Sequence, residues 1–466
     1  MKSIFLLTAS LLSIHIFCSE KVLANVGEAY GFGSKMTALA GAGAAWGSGP
    51  YAAYHNPATL GAESDKRLQM AFGLVYAQPN FIPIQNIITQ NKFNSDSDVY
   101  SNVDVTYRPT LGEAIGISFK LFPDVTLGAT AFVPISQFAF MDSGEALVPE
   151  YVLYRARTQR PQVETALGID LGKGLRAGAG LHMGFTLTST ASLFINTRAN
   201  TASSIRFTSS LQPSLSPYFG LMYSPKENPQ SLSFGAVYRM PLASNNTMNL
   251  NSAARVFGDF AAIDFNLQAN SALFYDPASI ELGTSFELFS GMQIFGQLDY
   301  QMWGRYQVPA LKINQTEPTT CSASSGTPCD TVTIAQGWTP SGLAFRNILV
   351  PRGGTEIAIN DSSVFRFGYA YKPSFLNGLP TGSGNYLDPS KHMINLGFGF
   401  RSQEFLGYEI ANQLDLNLIY HYLIHQHITK TPGNEAGDAT DFKIGAPGYD
   451  MGGAVYGAGI SLAFEI

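Results

Sequence analysis

Alternation with a period of two dominates the chain from Lys66 onward. In LRAGAGLHMGFTL (175–187) one face carries Leu, Ala, Met and Phe, while the other carries Arg, Gly, His and Thr. The pattern recurs in VFRFGYAYK (364–372) and in INLGFGFR (394–401). Since successive side chains of a β-strand point to opposite faces, the pattern predicts long strands with one apolar face.

The composition places that apolar face in lipid. Only 13% of the residues are charged, against roughly 25% in soluble domains. No apolar run reaches the ~18 residues that a membrane-spanning helix needs, and the faces opposite the apolar ones are rich in Gly, Ala and Asn. The sequence therefore predicts an all-β fold, a transmembrane antiparallel β-barrel, with a soluble β-sandwich as the alternative. The net charge of −6 gives no reason to expect nucleic-acid binding.

Turn signals set the number of strands. Short connections such as 122–124, 172–174 and 290–292 alternate with long polar segments such as 138–160 and 311–344. This alternation is typical of short periplasmic turns and longer outer loops. The breaks predict about fourteen strands, and an even number places both termini on the periplasmic side of a bacterial outer membrane.

The N-terminus has the features of an export signal. Residues 1–24 have a basic start, an apolar stretch and a small-residue cleavage pattern, so we expect the mature chain to begin at Asn25. Cys18 leaves a lipoprotein signal as the alternative. The barrel is assigned to 66–466, and the segment between signal and barrel, 25–65, does not alternate.

This segment is rich in Gly and Ala and carries a few apolar residues. A barrel of about fourteen strands leaves a lumen or needs a plug. We expect the segment to fold inside the lumen as a hatch, in which Asn56 and Pro57 cap a short helix. A disordered periplasmic tail is the alternative, but such tails usually carry more charge.

The N-terminal segment and three later stretches of the chain resemble a known family. KMTALAGAGAAWGSGPYAAYHNPATL resembles the N-terminal hatch of the FadL family of outer-membrane transporters for long-chain fatty acids and other hydrophobic compounds. The Asn-Pro-Ala of that family is matched by Asn56, Pro57 and Ala58. LDYQMWGRY (298–306) is similar to the family's Trp-containing strand end, and 365–401 is similar to its late hairpin. The C-terminal AVYGAGISLAFEI resembles the signal that the outer-membrane insertion machinery reads.

The resemblance implies a fourteen-stranded barrel closed by the hatch. It also implies passive uptake, in which a hydrophobic ligand binds at the outer loops and leaves sideways into the membrane at a kinked third strand. The third strand reads VTLGATAFVPISQFAF, and Pro134 is the candidate for the kink because a proline deletes a ladder hydrogen bond. The alternative is that Pro134 lies just beyond the membrane edge. Another proline, Pro277, falls within a predicted strand at about 265–288.

Three arginines, Arg176, Arg366 and Arg401, face the lumen by alternation and lie near turns. They are candidates for binding a ligand carboxylate. Pairing with barrel carboxylates such as Glu164 and Asp170 is the alternative. No cofactor is expected. The expected partners are the hydrophobic ligand, outer-membrane lipid and, during biogenesis, the outer-membrane insertion machinery. We expect the protein to be a monomer.

Two further groups of residues need an interpretation. YHYLIHQH places His421, His425 and His427 on the lumen side of one strand, but no carboxylate or Cys partner is visible, so no metal site is predicted. Cys321 and Cys329 lie in a polar loop of an exported chain, which predicts a local disulfide. A metal site at the cysteines is less favoured, because no His lies nearby.

Two rival functions stay open. A general porin would have an open, charged constriction, and the hatch composition argues against it. An outer-membrane lipid-hydrolysing enzyme would need a nucleophile, a base and an acid, and we find no Gly-x-Ser-x-Gly motif or other catalytic set. The sequence therefore predicts a channel and no enzyme, without selecting among fatty acids, aromatic hydrocarbons and other lipids.

Overall fold

The computed structural model describes residues 26–46, 49–62, 68–90, 99–135, 148–154, 160–196, 204–225, 231–256, 261–306, 312–316, 320–321, 343–382, 384–430 and 444–466. The helices are short: α-helices lie at Val26–Tyr30, Ser34–Ala38 and Ala52–His55, and 3-10 turns lie at Gly49–Tyr51, Pro57–Ala62 and Trp303–Arg305. Over the described ranges, no helix is both long enough and apolar enough to cross a membrane.

The strands of the described residues are β1 (Leu68–Phe81), β2 (Ile84–Gln90), β3 (Val99–Val103), β4 (Thr110–Phe122), β5 (Val125–Pro134), β6 (Glu150–Tyr151), β7 (Gln162–Asp170), β8 (Leu175–Asn196), β9 (Ser204–Tyr223), β10 (Leu232–Arg239), β11 (Leu242–Val256), β12 (Ala261–Asp276), β13 (Ser279–Phe289), β14 (Met292–Gln301), β15 (Lys312–Thr316), β16 (Thr320–Cys321), β17 (Ile348–Asn360), β18 (Ser363–Lys372), β19 (Tyr386–Leu387), β20 (Lys391–Ser402), β21 (Ala411–Thr429) and β22 (Gly448–Glu465).

Fourteen of these described strands form a closed ring. The order is β1, β4, β5, β7, β8, β9, β10, β13, β14, β17, β18, β20, β21, β22, and each strand is antiparallel to the next. The ring closes between the first and last strands, whose ladder runs from Gln69 opposite Glu465 to Phe81 opposite Gly453. The all-β barrel of about fourteen strands predicted from the sequence is confirmed. Closure leaves no free sheet edge in the wall.

The apolar face of the strands points outward. On β1, Phe72, Leu74 and Tyr76 are exposed, whereas Val75 and Ala77 between and beyond them are buried. Other strands of the ring repeat this arrangement, which is the reverse of a soluble barrel. An outward apolar band is stable only where hydrocarbon covers it, so the molecule is a β-barrel of the outer-membrane type.

A proline divides one of the predicted strands. The expected strand at 265–288 is wrong, because Pro277 separates β12 from β13, and only β13 belongs to the ring. Proline cannot donate to a ladder, so the chain leaves one pairing and starts another at this point. The hairpin β11–β12 is inserted between two ring strands, and β11 also runs parallel to the far end of β8.

A β-bulge in β21 changes which side chains point outward. The register between β21 and β22 shifts between Leu423 and Gln426. His421 is buried inside the ring, whereas His425 and His427 are exposed. The prediction that all three histidines share the lumen side is therefore wrong, because an extra residue in a strand reverses the alternation that follows it.

Candidate functional site

The N-terminal segment, residues 26–46 and 49–62, lies against the inner face of the ring. Inward-facing glycines on well-separated strands touch its backbone. A Cβ atom on Gly116 of β4 would lie 2.8 Å from a carbonyl oxygen of the segment, and one on Gly235 of β10 would lie 1.9 Å from another. On Gly368 of β18 it would lie 2.4 Å from a backbone nitrogen. Only glycine permits such close approach between backbones, so the wall and the segment are complementary in shape.

The Asn-Pro-Ala motif makes specific contacts at this interface. Asn56 is fully buried, and its Oδ1 accepts a hydrogen bond from the backbone nitrogen of Ala58 at 3.0 Å. Pro57 is the first residue of a 3-10 turn, the position where its missing amide hydrogen costs least. Nδ2 of Asn56 donates to the carbonyl of Leu221 on β9 at 3.2 Å. One side chain therefore caps the turn and fastens it to the wall.

Two wall arginines hold the backbone of the segment. Arg239 of β10 pairs with Glu281 of β13 at 2.8 Å and donates to the carbonyl of His55 at 2.9 Å. Arg352 of β17 donates to the carbonyl of Ala40 at 2.9 Å. Hydrogen bonds from charged donors to buried carbonyls are worth about 1.5–3 kcal/mol each. The segment is thus fastened at two points on opposite parts of its length.

Titratable groups of the segment are adapted to burial. Burial opposes the ionisation of Glu28, but the ammonium of Lys372, which contacts its carboxylate, and the guanidinium of Arg352 outweigh burial and lower the pKa of Glu28 to about 2. His55 donates from Nε2 to the carbonyl of Phe32 at 2.9 Å, and burial lowers the pKa of its imidazole to about 4. At neutral pH the segment therefore carries an ionised Glu28 and a neutral His55.

The three candidate arginines do not form one site. Arg176 donates to Asp170 at 3.1 Å. Arg366 is fully buried and bonds two carboxylates, one of them Glu356, at 2.6 Å. Arg401 lies 3.8 Å from the same Glu356 and is half exposed. Pairing with barrel carboxylates, the alternative that the sequence left open, therefore describes the environment of Arg176 and Arg366.

The barrel interior around the N-terminal segment contains two cavities that differ in volume and in the charge of their lining. Toward the short turns lies a cavity of about 770 Å³, whose lining includes Lys35, Trp46, Glu356 and Arg401. Beside the segment lies a chamber of about 80 Å³ with a strongly charged lining, which includes Glu28, Glu164, Arg239, Asp276, Glu281, Asp299 and Arg352. At the level of the segment, the barrel interior is charged and closely filled.

Toward the long loops the interior is apolar and aromatic. Phe81 stacks on Tyr151 with ring centroids 3.9 Å apart, and Trp303 stacks on Phe375 at 4.5 Å. Tyr30 of the N-terminal segment belongs to the same buried cluster. We refer to this set of side chains as the aromatic cluster. It has the composition of a site for a hydrophobic ligand: mostly apolar surface with a few polar groups.

Lys391 supplies a cation at the aromatic cluster. Its Nζ donates to Tyr154 Oη at 3.0 Å and lies 5.2 Å from the centroid of the Tyr154 ring. On the neighbouring strand, His421 is buried, and among the described residues its Nδ1 has no hydrogen-bond partner. Neither residue was a candidate ligand contact from the sequence. The signal was weak, because a lysine at a strand end usually faces water.

Pro134 is the last residue of β5. Pairing of β5 with β4 continues to Pro134, and the nitrogen of Ile135 donates to a carbonyl of β4 at 2.8 Å. Among the described residues, pairing with β7 stops earlier, at Phe132 opposite Gln162. Because adjacent amides of a strand point to opposite sides, the nitrogen of Pro134 faces the side on which β7 has ended. The missing amide hydrogen therefore costs no ladder bond at this position.

Comparisons with known proteins bear on the whole barrel. No protein-family model matches the chain. Alkane uptake protein A of Marinobacter nauticus is 23% identical over 429 residues, which cover 87% of this chain and 86% of that protein. In structure, the chain matches a FadL homologue of Pseudomonas aeruginosa with a TM-score of 0.55 at 12% identity, over 93% of this chain and 97% of that one.

The chain has the fold of this FadL homologue. The toluene transporter TodX of P. putida matches this FadL-type barrel as well, with a TM-score of 0.53 at 13% identity, over 94% of this chain and 99% of that one. The resemblance to the FadL family that the sequence indicates is confirmed in the fold. These three relatives are named for uptake or transport or as a FadL homologue, and none of them is named for a reaction.

Two predictions concern the cysteine pair and metal binding in this FadL-type barrel. The disulfide between Cys321 and Cys329 lies outside the described residues, since Cys329 is not among them and only the backbone of Cys321 is. Among the described residues, no group of three or more His, Cys, Asp or Glu side chains could hold a metal ion.

Proposed function

We propose that this FadL-type barrel is an outer-membrane channel for the passive uptake of hydrophobic compounds, with both termini in the periplasm. One observation carries the proposal: a closed ring with an apolar outside contains an aromatic cluster next to a buried N-terminal segment. The names of two relatives, an alkane uptake protein and a toluene transporter, support this class of ligand.

The N-terminal segment acts as the hatch. Support comes from its close fit to inward glycines and from its bonds to Arg239 and Arg352. The charged chamber beside it is a poor environment for a hydrocarbon, because ligand there would displace ion pairs without replacing their hydrogen bonds. The hatch therefore blocks a direct route through the barrel for water and for ligand.

The ligand binds at the aromatic cluster after capture by the outer loops. Burial contributes ~0.8 kcal/mol per methylene. About ten buried methylenes therefore match the ~8 kcal/mol of micromolar binding, before entropic costs. A neutral hydrocarbon needs nothing more, whereas the carboxylate of a fatty acid would be met by Lys391.

Uptake by whole cells tests this function. Cells lacking their own hydrophobic-compound channels should accumulate labelled hexadecane, toluene or oleate faster when they express this chain than when they carry an empty vector. Accumulation no faster than in the vector control, with the barrel folded in the outer membrane, would refute the proposal. Liposome swelling tests the porin alternative: rapid swelling in small sugars would indicate an open pore instead of a hatch.

Ligand leaves sideways where the ladder between β5 and β7 stops. This position matches Pro134, the candidate for the wall opening, and the route spares a hydrocarbon any contact with periplasmic water. A disulfide between Val133→Cys and Pro161→Cys would close the strands just beyond the last pair. It should slow uptake until it is reduced. A disulfide between Ala131→Cys and Val163→Cys, which are already opposite each other, is the matched control and should leave uptake unchanged.

A further inference from the structure

Gln162 is a buried polar residue at the last pair of the ladder between β5 and β7. It is the first residue of β7, and it stands opposite Phe132 of β5. Its side chain faces the lumen and is only 1% exposed. Among the described residues, neither the nitrogen nor the oxygen of its amide has a hydrogen-bond partner. The side chain therefore lies at the proposed exit with its hydrogen-bonding capacity unused.

The neighbouring pair of side chains shows why this amide has no partner. One step toward the short turns, Thr130 stands opposite Glu164, and its Oγ1 donates to Oε2 of the carboxyl group at 2.9 Å. At the next inward position, the residue opposite Gln162 is Phe132, which has no polar side-chain atom. The ring of Phe132 extends toward β4, where a Cβ on Gly112 would lie 2.1 Å from it. The wall thus supplies a polar partner for Glu164 and none for Gln162.

An amide without a partner is unfavourable at this position. Burying it without a hydrogen bond costs free energy, so an apolar side chain would make a more stable wall. The surroundings are those of a route for an apolar ligand, because Phe132 belongs to the aromatic cluster and pairing between β5 and β7 ends here. A ligand that moves from the aromatic cluster to the wall opening therefore passes the amide of Gln162.

We propose that Gln162 determines specificity by bonding the hydroxyl group of a neutral ligand, so that long-chain primary alcohols are substrates of the channel alongside hydrocarbons. The proposal rests on the proposed uptake function and on its lateral exit. An amide offers two N–H donors and a carbonyl acceptor, and a hydroxyl group both donates and accepts, so the two groups can pair either way. An ionised carboxylate only accepts, leaves the carbonyl unpaired and carries a charge that is costly to bury.

The amide lowers the barrier for a hydroxyl group at the wall. A hydroxyl group that leaves water for an apolar route loses its hydrogen bonds, which opposes its passage. Bonding to Gln162 replaces one of these bonds at the point where the ligand turns from the lumen into lipid. One neutral hydrogen bond corresponds to about a two- to tenfold change in a rate or an equilibrium. An alkane has no hydrogen bond to lose and gains nothing from the amide.

Paired uptake assays of an alcohol and an alkane test this role. Cells that lack their own hydrophobic-compound channels and express the full-length barrel receive labelled hexadecanol or hexadecane. Gln162→Met, which keeps an unbranched chain of similar length, should slow uptake of hexadecanol about two- to tenfold and leave uptake of hexadecane unchanged. Gln162→Leu should act likewise. Gln69→Met is the matched control and should keep the wild-type ratio, because Gln69 is a buried glutamine near the short turns that accepts a bond from Ser118 at 3.4 Å.

Thermal unfolding separates this role from a structural one. Within the described part of the chain, the Gln162 side chain has no hydrogen bond to lose, so Gln162→Met should unfold at the wild-type temperature or higher in a heat-modifiability gel. A lower temperature would assign Gln162 to wall stability and contradict the proposal. An unchanged ratio of alcohol to alkane uptake in both Gln162 variants would also overturn it, because the amide would then bind only water. Cells with the wild-type barrel that take up neither compound faster than a vector control would instead refute the proposed uptake function, on which this inference rests.

Discussion

Replacing Gly368 by alanine tests whether the N-terminal segment blocks the lumen. The new Cβ would lie 2.4 Å from the nitrogen of Ala40, 2.5 Å from the carbonyl carbon of Leu39 and 2.6 Å from the oxygen of Ala38. Optimal contacts of carbon are about 3.5–4.0 Å, so the segment must move by about 1 Å. Gly368 sits in a strand that is hydrogen-bonded on both sides. We therefore expect the segment to yield and the wall to stay.

The size of the effect follows from the cost of overpacking. An added methyl group in a closely packed interface costs about 1–3 kcal/mol, which shifts an equilibrium by about 5- to 150-fold. If the blocked and open states of the lumen differ by the seating of the segment, the open state becomes more populated by this factor. Single-channel recording in planar bilayers should show openings that are correspondingly more frequent than in the wild type.

Gly296→Ala is the matched control. Its Cβ would meet only a methyl carbon of Thr284, at 3.6 Å, which is an ordinary contact. We expect Gly296→Ala to behave like the wild type in the bilayer. The reasoning is refuted if Gly368→Ala opens no more often than Gly296→Ala while both barrels are folded, because the segment would then tolerate displacement without unblocking the lumen.

Three further predictions follow from the same architecture. Deleting residues 31–62 should turn a low-conductance barrel into an open channel; a deletion variant with unchanged conductance would mean that the segment is no hatch. Lys391→Met should lower uptake of oleate about tenfold, the worth of a charge-assisted hydrogen bond, and leave uptake of hexadecane unchanged; equal effects on both compounds would remove Lys391 from ligand recognition. Thiol titration of the unfolded mature protein should detect Cys321 and Cys329 only after reduction, and free thiols before reduction would exclude their disulfide.

The barrel could be predicted from sequence because its determinants are local. A strand of β18 or β20 displays its apolar face in eight consecutive letters, and the pattern needs no knowledge of a neighbour. The number of strands was predicted correctly for the same reason, because each turn can be recognised from a few consecutive residues. The failure near Pro277 also had a local cause, since the proline that divides β12 from β13 was visible but was counted inside one strand.

The interior could not be predicted in the same way, because its partners are distant in sequence. Arg366 bonds a carboxylate of β17 and, 49 residues away, Asp415 of β21. Arg352 reaches the carbonyl of Ala40 across 312 residues. Alternation predicts which side chains face the lumen. It does not predict the level of each side chain along the barrel axis or the residue that it contacts across the lumen. Arg176 and Arg366 were therefore placed on the inner face, and Asp170 was named as a possible partner. The carboxylates that Arg366 bonds were not named.

The glycines of the barrel wall connect the prediction of the strands with the prediction of the barrel interior. A glycine in a strand interior is destabilising by roughly 0.5–1 kcal/mol relative to alanine, and a water-filled lumen would gain nothing from it. Gly178, Gly220 and Gly397 face inward, and a Cβ at each would lie 2.0–2.3 Å from an atom of the N-terminal segment. Strands whose inward-facing side chains are small as well as polar therefore indicate that the lumen is filled by protein. The strands that carry these glycines are the ones that the N-terminal segment contacts. Read with the Gly/Ala-rich segment before the first strand, this pattern predicts a filled barrel from sequence alone. It does not predict which residues fasten the filling, since those bonds come from arginines whose partners are backbone carbonyls without a signature of their own.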